Sequence, residues 1–266
     1  MRNPDCLLLR VGELALKSEQ VQRIWFRMLL RNVRAALGRG YRLETDMNRI
    51  FVYGGAKKAV PKLFRVFGLT SLSSCWECGS GIEDINKLAV EVAKHERVGK
   101  KSFAVRARRA GCHEFTSQQI AREAGSAVVE ATGAKVDLGE PDIEINIECR
   151  QRKAYVFSEK VPCAGGLPAG TGGRALAVVN GRDDAVAAWL IAKRGVDVET
   201  VGKRAGMLSK WGIRKKSGQK DDYAGYQALI IGEKSRPPAA GMLVLRPLVA
   251  WTGPETAAAA RKIGLK

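Results

Sequence analysis

Hydrophobic and polar positions follow two rhythms along the 266 residues. Period-two stretches predict strands, and stretches of period 3.6 predict helices. "CLLLRVGELAL" (6–16) reads as a short apolar strand with a turn at Gly12. In "SEQVQRIWFRMLLRNVRAALGRG" (18–40) the residues Val21, Ile24, Trp25, Met28, Leu29 and Leu37 recur at helical spacing, with Ser18 as N-cap. Arg23, Arg27, Arg31 and Arg34 share the opposite face, which suits either solvent or an RNA contact. "YRLETD" and "RIFVYG" are strands around a turn, "KKAVPKLFRVFGL" is a helix ending near Gly68, and "TSLSSCWEC" is a further strand.

The resulting order β-α-β-β-α-β is that of a ferredoxin-like unit. A second unit follows. "IEDINKLAVEVAKHE" is helical, "KSFAVRAR" a strand, "TSQQIAREAGSAVVEATG" a helix, and "DIEINIECR" and "KAYVFSEKV" are alternating strands. The turn-rich "CAGGLPAGTGGR", with Gly165, Gly166, Pro168, Gly170, Gly172 and Gly173, predicts a hinge and loop. Beyond it come the strand "RALAVV", a helix over 183–194, the strands "VDVETV", "YQALIIGE" and "MLVLRPLV", and a last helix "GPETAAAARKIG". Strands alternating with helices imply a parallel sheet. The polar, basic stretch 203–224 is expected to be a loop.

Charge adds a functional class. The formal net charge is +18, and a globular chain this basic generally meets a polyanion, nucleic acid first and an anionic membrane surface second. A highly charged but inert surface is the plain alternative. Residues 1–78 carry 14 Lys+Arg against 6 Asp+Glu, residues 79–171 carry 14 against 13, and residues 172–266 carry 17 against 8. An anionic ligand should therefore touch more than one segment. No apolar run approaches the ~20 residues of a membrane span, and the amino terminus lacks a signal-peptide core, so a cytoplasmic protein without a membrane partner is expected. The six cysteines all precede residue 164. Cys75 and Cys78 form a CxxC pair with no second pair after it. They are either metal or redox thiols or small half-buried strand residues, and no metal site is assigned.

Three stretches carry a resemblance. "LLLRVGELALKSEQVQRIWFRMLLRNV", "SFAVRARRAGCHEFTSQQIAREAGSAV" and "CAGGLPAGTGGRALAVVNGRDDAVAAWLIAKRG" together resemble the tRNA 4-thiouridine synthetases (tRNA sulfurtransferases), and the tail "LVLRPLVAWTGPETAAAARKIG" is similar to the end of their catalytic domain. The resemblance implies an α/β and α+β chain in three parts. These are a ferredoxin-like domain (1–78), a THUMP RNA-binding domain (79–171) and a shortened parallel-sheet PP-loop domain of the adenine nucleotide α-hydrolase type (172–266). It further implies a tRNA partner gripped at the acceptor stem and 3′ CCA end, ATP and Mg²⁺ as cofactors of a working PP-loop, a sulfur-carrying cysteine in the catalytic domain, and pairing into a homodimer. Arg106, Arg108, Arg109, His113 and Ser117 fall where a strand gives way to a loop and a helix, a place suited to backbone phosphate. Arg10, Lys17, Gly165 and Gly166 are the other expected RNA contacts. The two glycines serve equally well as a plain hinge, and Phe115 is expected as a core or staple residue rather than a base-stacking platform.

The turn Val179–Asp184 tests the enzymatic half of that resemblance. A working PP-loop reads Ser-Gly-Gly-x-Asp-Ser, with small residues and hydroxyls around pyrophosphate at a helix N-terminus. Here Val179 stands at the first serine, Asn180 and Gly181 at the glycines, Arg182 at the free position, Asp183 at the aspartate and Asp184 at the last serine. Asn180 would need a left-handed conformation. Asp184 would set a second negative charge against an anion, costing about 4 kcal/mol at ~4 Å and an effective dielectric near 20. Arg182 could offset part of that by turning inward. The carboxylates either hold Mg²⁺ or stabilise the first helical turn, and the second reading is preferred. No cysteine follows Cys163, and "KSRPPAAGM" (234–242) lacks most of the hydroxyls the family has there. The expectation is a tRNA-binding protein with a degenerate catalytic domain and no catalytic residue, Asp183 being the candidate if activity survives. The alternatives are an ATP-dependent tRNA-modifying enzyme borrowing a partner's cysteine, and a general RNA chaperone.

Overall fold

The computed structural model describes residues 2–12, 17–217, 223–232 and 241–265. Two compact units interleave along the chain. The first comprises Met1–Arg10, Arg39–Val60 and Ser71–Pro162, and the second Val11–Gly38, Pro61–Thr70 and Cys163–Lys266.

An eight-stranded sheet organises the first unit. Its strands are β1 (Cys6–Val11), β2 (Arg42–Asp46), β3 (Arg49–Tyr53), β4 (Leu69–Gly79), β5 (Phe103–Arg109), β6 (Ile143–Cys149), β7 (Lys153–Phe157) and the short β8 (Val161–Pro162). They run in the order β2-β3-β1-β4-β7-β6-β5, with β8 beside β4. Met47 and Asn48, at φ 39° and 63°, close the β2–β3 hairpin in the left-handed geometry that two-residue hairpins require. β5 and β6 run parallel, and the chain between them contains helix α4 (Ser117–Thr132). Thr116 and Gln119 cap α4 reciprocally, as a Thr-x-x-Gln capping box should.

Alternation sets the two faces of this sheet. Phe103, Val105, Ile145, Ile147 and Val156 pack with Ile85, Leu88 and Val92 of helix α3 (Ile82–His95) and with Ile120 and Val128 of α4. One residue along each strand, Arg106 and Arg108, Glu144, Asn146 and Glu148, and Phe157 point to the other face. Cys75 is fully buried, while Cys78 is partly exposed. Three positions apart on one strand, they face opposite sides of the sheet. Burial, reinforced by Asp84 and the Cys149 thiol, pushes the Cys78 thiol up to about 12, which suits an inert strand residue better than a reactive thiolate.

In the second unit helix α1 (Glu19–Leu37) buries Leu29, Val33 and Leu37. Ser18 occupies its N-cap position without a capping side-chain bond, and Ile24 of the expected apolar stripe is 50% exposed. Helix α2 (Ala56–Leu63) stops earlier than its apolar pattern suggests. The chain turns at once through Val66, whose N–H donates to Leu63 O at 2.9 Å, and the Phe64 carbonyl accepts from Ala164 N at 2.9 Å. Phe67 thereby stacks on Trp211 (5.8 Å between centroids) and tilts against Trp189 (6.0 Å).

A five-stranded parallel sheet forms the rest, β11-β10-β9-β12-β13, from β9 (Arg174–Val178), β10 (Asp197–Val201), β11 (Arg214–Lys215), β12 (Ala228–Ile230) and β13 (Leu243–Leu245). Helices α5 (Arg182–Lys193) and α6 (Gly253–Lys262) pack with it around Ala177, Val186, Trp189, Ile230 and Ile263. The stretch expected as a loop, 203–224, instead contains a 3-10 turn, Ala205–Trp211, and strand β11. Leu208 and Ile213 enter the core and Trp211 packs against it. These anchors are spaced too widely among lysines and arginines to register as a period. Residues 218–222 lie outside the described part.

Glycine enables the close approach of the 163–173 segment to α5. Gly166 has φ +74°, and a Cβ there would collide with the backbone carbonyl of Lys193. Gly181 has φ −145° and its added Cβ would meet only Asp184 Oδ2 at 4.0 Å. Gly166→Ala should therefore cost about 2–4 kcal/mol in chemical denaturation, and Gly181→Ala less than about 0.5 kcal/mol.

Candidate functional site

In the first unit, a groove of about 680 Å³ opens over β5 and β6 and the start of α4. It is lined by Arg10, Arg106, Arg108, Lys160, Ser117 and Gln118, with Phe157, Asn146, Glu144 and Glu148 among its other residues. Four cations thus face two carboxylates. The carboxylates are already engaged. Glu148, 4% exposed, accepts from Arg49 Nε at 3.2 Å and Arg150 Nη2 at 2.6 Å. Glu144 pairs with Arg106 Nε at 3.3 Å and Lys160 Nζ at 3.6 Å. Arg106 also donates to Leu138 O. Arg108 is exposed and forms no ion pair with the described residues.

Arg10 is held differently. Its Nη1 donates to Ser73 Oγ at 3.0 Å and Ser71 Oγ at 3.3 Å, and its guanidinium lies 4.7 Å from the Phe157 ring centroid. Burial draws its pKa down from the ordinary arginine value, and a guanidinium in a protein keeps its charge. The groove therefore has one braced cation, one exposed and unpaired among the described residues, and the start of a 16-residue helix with no acidic residue in its first turn. Such a helix end adds partial positive charge.

Of the residues expected to meet RNA, the structure gathers Arg10, Arg106, Arg108 and Ser117 in this groove. Arg109 and His113 are not among them. As the next residue on β5, Arg109 faces the other side, and its Nη1 donates to His113 O at 3.2 Å. His113 stacks on Phe115 at 5.2 Å and meets the Cys149 thiol at 3.8 Å. Phe115 packs against the core, as expected. Lys17, Gly165 and Gly166 belong to the second unit. There Lys17 lies over the Trp25 ring at 5.5 Å, and Gly165 makes backbone hydrogen bonds with Gly68 and Leu69. The sequence reading missed Lys160, Asn146 and Gln118. The alternation of β6 could have found Asn146, because every second residue of "IEINIEC" is polar.

In the second unit, the turn after β9 lies where the strand order reverses. The chain leaves β9 for β10 on one side and later returns to β12 on the other, the switch point where open parallel sheets place ligands. A carboxylate fills that crevice. Asp184, 6% exposed, accepts from Asn180 N at 3.0 Å and Gly181 N at 3.1 Å through Oδ2, and from Gly232 N at 2.8 Å through Oδ1. Asp184 thus does more than oppose an anion by charge: it engages the backbone donors that an anion would use.

The neighbouring expectations change with it. Asn180 is not among the residues of positive φ, and its side-chain oxygen accepts from Lys203 N at 3.1 Å. Arg182 turns to Asp183 (3.7 Å) rather than inward. Asp183 is half exposed while Asp184 is buried, so the two carboxylates do not jointly face one cation. Among the described residues no group of three or more His, Cys, Asp or Glu is placed to hold a metal ion. The position that sequence reading overlooked is Gly232, where a Cβ would lie 2.5 Å from Asp184 Oδ1. Residues 233–240, most of the "KSRPPAAGM" stretch, are outside the described part.

Comparison with known proteins places these features in a family. Residues 6–73 match the ThiI ferredoxin-like domain and residues 80–159 match the THUMP domain. A probable tRNA sulfurtransferase of Methanothermobacter thermautotrophicus is 38% identical over 204 residues, which cover 74% of this chain and 52% of that protein. The chain is a THUMP-domain relative of the tRNA sulfurtransferases. This THUMP protein spans about half the length of the curated relatives it matches. Its structure superposes on PH1313 from Pyrococcus horikoshii with a TM-score of 0.84 and 27% identity, covering 98% of this chain and 100% of that one. A 4-thiouridine synthetase solved with RNA and bound ATP shares the fold, with a TM-score of 0.76 and 21% identity over 98% of this chain and 85% of that one. Among the described residues of the THUMP protein no helix is long and apolar enough to cross a membrane.

The carboxylate seat gives a direct test. Asp184→Ala leaves three N–H groups without their acceptor and should cost about 2–4 kcal/mol in urea denaturation. Asp183→Ala, at a half-exposed ion pair, should cost less than about 0.5 kcal/mol.

Proposed function

We propose that this protein binds tRNA, gripping the acceptor stem and its 3′ CCA end, and that residues 172–266 form a PP-loop-type domain that no longer turns over ATP. The observation that carries the first half is the groove over β5, β6 and α4. Its cations outnumber its carboxylates, both carboxylates are neutralised from within, and the α4 N-terminus adds positive potential. Such a surface complements a phosphate backbone. The match to the THUMP domain and the relatives named tRNA sulfurtransferase favour tRNA over other polyanions.

The second half rests on Asp184. The residues present do not fit a triphosphate, because the N–H groups of Asn180, Gly181 and Gly232 already hold a carboxylate and no hydroxyl stands at 179 or 184. The competing reading is an active tRNA-modifying enzyme using a partner's cysteine. Incubation with tRNA and labelled ATP separates the two. No release of AMP or pyrophosphate is expected, and release that depends on Asp183 would overturn the proposal.

Binding should weaken steeply with salt, because each phosphate neutralised releases counterions. Arg108→Glu should cost about tenfold in tRNA affinity by anisotropy titration, whereas Arg106→Glu, already paired with Glu144, should cost about threefold. A salt-independent affinity contradicts phosphate recognition. Equal affinity for tRNA with and without its CCA end favours a general RNA chaperone.

A further inference from the structure

A second cavity, of about 410 Å³, lies in the second unit between α5 and α6. It is a size that suits one nucleotide. Trp189 and Ile263 line it from the core, with Trp251 half-buried beside them. Lys193, Arg194 and Lys262 line it as well, and no carboxylate does. Lys193 Nζ lies 5.1 Å from the Trp189 ring centroid.

Cations at helix C-termini are ordinary, since they offset the terminal carbonyls. That explains Lys193 and Lys262 but not the aromatic walls. An occupant that answers both features has a flat apolar face and negative charge. A nucleobase with its phosphate has both, and base stacking on aromatic side chains is tolerant of sequence. Three cations spread over two helices exceed the needs of one phosphate, so flanking phosphates of a strand fit better than a free nucleotide.

We propose that this cavity takes an unpaired nucleotide of an RNA strand, its base against Trp251 and its flanking phosphates on Lys193, Arg194 and Lys262. The site shares its ligand class with the groove over β5 and β6 but no residue, so either can fail without the other.

The test uses the full chain carrying Arg106→Glu and Arg108→Glu, which disables the groove. A uridine pentamer with a central 5-iodouridine is titrated and photo-crosslinked, and the adducts are mapped by mass spectrometry. Crosslinks are expected on the peptide containing Trp251. Adding Lys193→Glu and Lys262→Glu should weaken pentamer binding at least about tenfold. Lys262→Glu alone, at an exposed position, should weaken it about threefold and guards against misfolding of the double variant. Four results overturn the proposal: adducts only elsewhere, a change below twofold in both charge variants, uridine monophosphate binding as tightly as the pentamer, or hexaglutamate displacing the pentamer at equal concentration. Loss of tRNA binding in the groove variant with the pentamer adducts retained supports the cavity on its own.

Discussion

The second unit is organised around one buried carboxylate. Asp184 ties the turn after β9 to the backbone after β12 through both of its oxygens. It closes the crevice where the parallel sheet changes direction, and it begins α5 with negative charge at the positive end of the helix dipole. Gly232 is required because any side chain there would displace that carboxylate. A tethered anion also holds an advantage over a dissolved one. It is presented at an effective concentration of millimolar order or above, so a phosphate would have to displace it as well as bind.

The first unit solves the opposite problem. It keeps positive charge available on a sheet face that also contains acids. Burial of Glu148 beneath two guanidiniums and division of Glu144 between Arg106 and Lys160 remove the acids from competition. Arg10 and Arg108 then differ in their bracing rather than in charge. Arg10 is fixed by two serines and an aromatic ring. Arg108 is exposed and has no ion pair among the described residues.

Strand alternation and helical period were legible in the sequence, because each records which face of an element is buried. β5, β6, β7, α3 and α4 fall where their patterns place them. Helix ends were less legible. α2 stops at Leu63 because tertiary hydrogen bonds to Ala164 and the pull of Phe67 into an aromatic cluster outweigh local preference. The 3-10 turn at Ala205–Trp211 has three anchors and no period to read. Site chemistry was legible by type and not by direction. The charge of Asp184 predicts opposition to an anion, but only geometry shows its oxygens on the amides of Asn180, Gly181 and Gly232. Likewise "RARR" places Arg106, Arg108 and Arg109 together, and the pleat sends Arg109 away from the other two.

The interleaving of the two units bears on how the chain becomes a protein. It crosses between them after residues 10, 38, 60, 70 and 162. The first unit has all its strands once residue 162 has been made, whereas Phe67, synthesised early, belongs to a core whose other members come after residue 163. On a ribosome that builds from the amino terminus, that early aromatic ring stays without these partners until the last hundred residues appear. A fragment starting at residue 163 would likewise lack the ring that stacks on Trp211, so the second unit is a product of the whole chain rather than of its carboxy-terminal third.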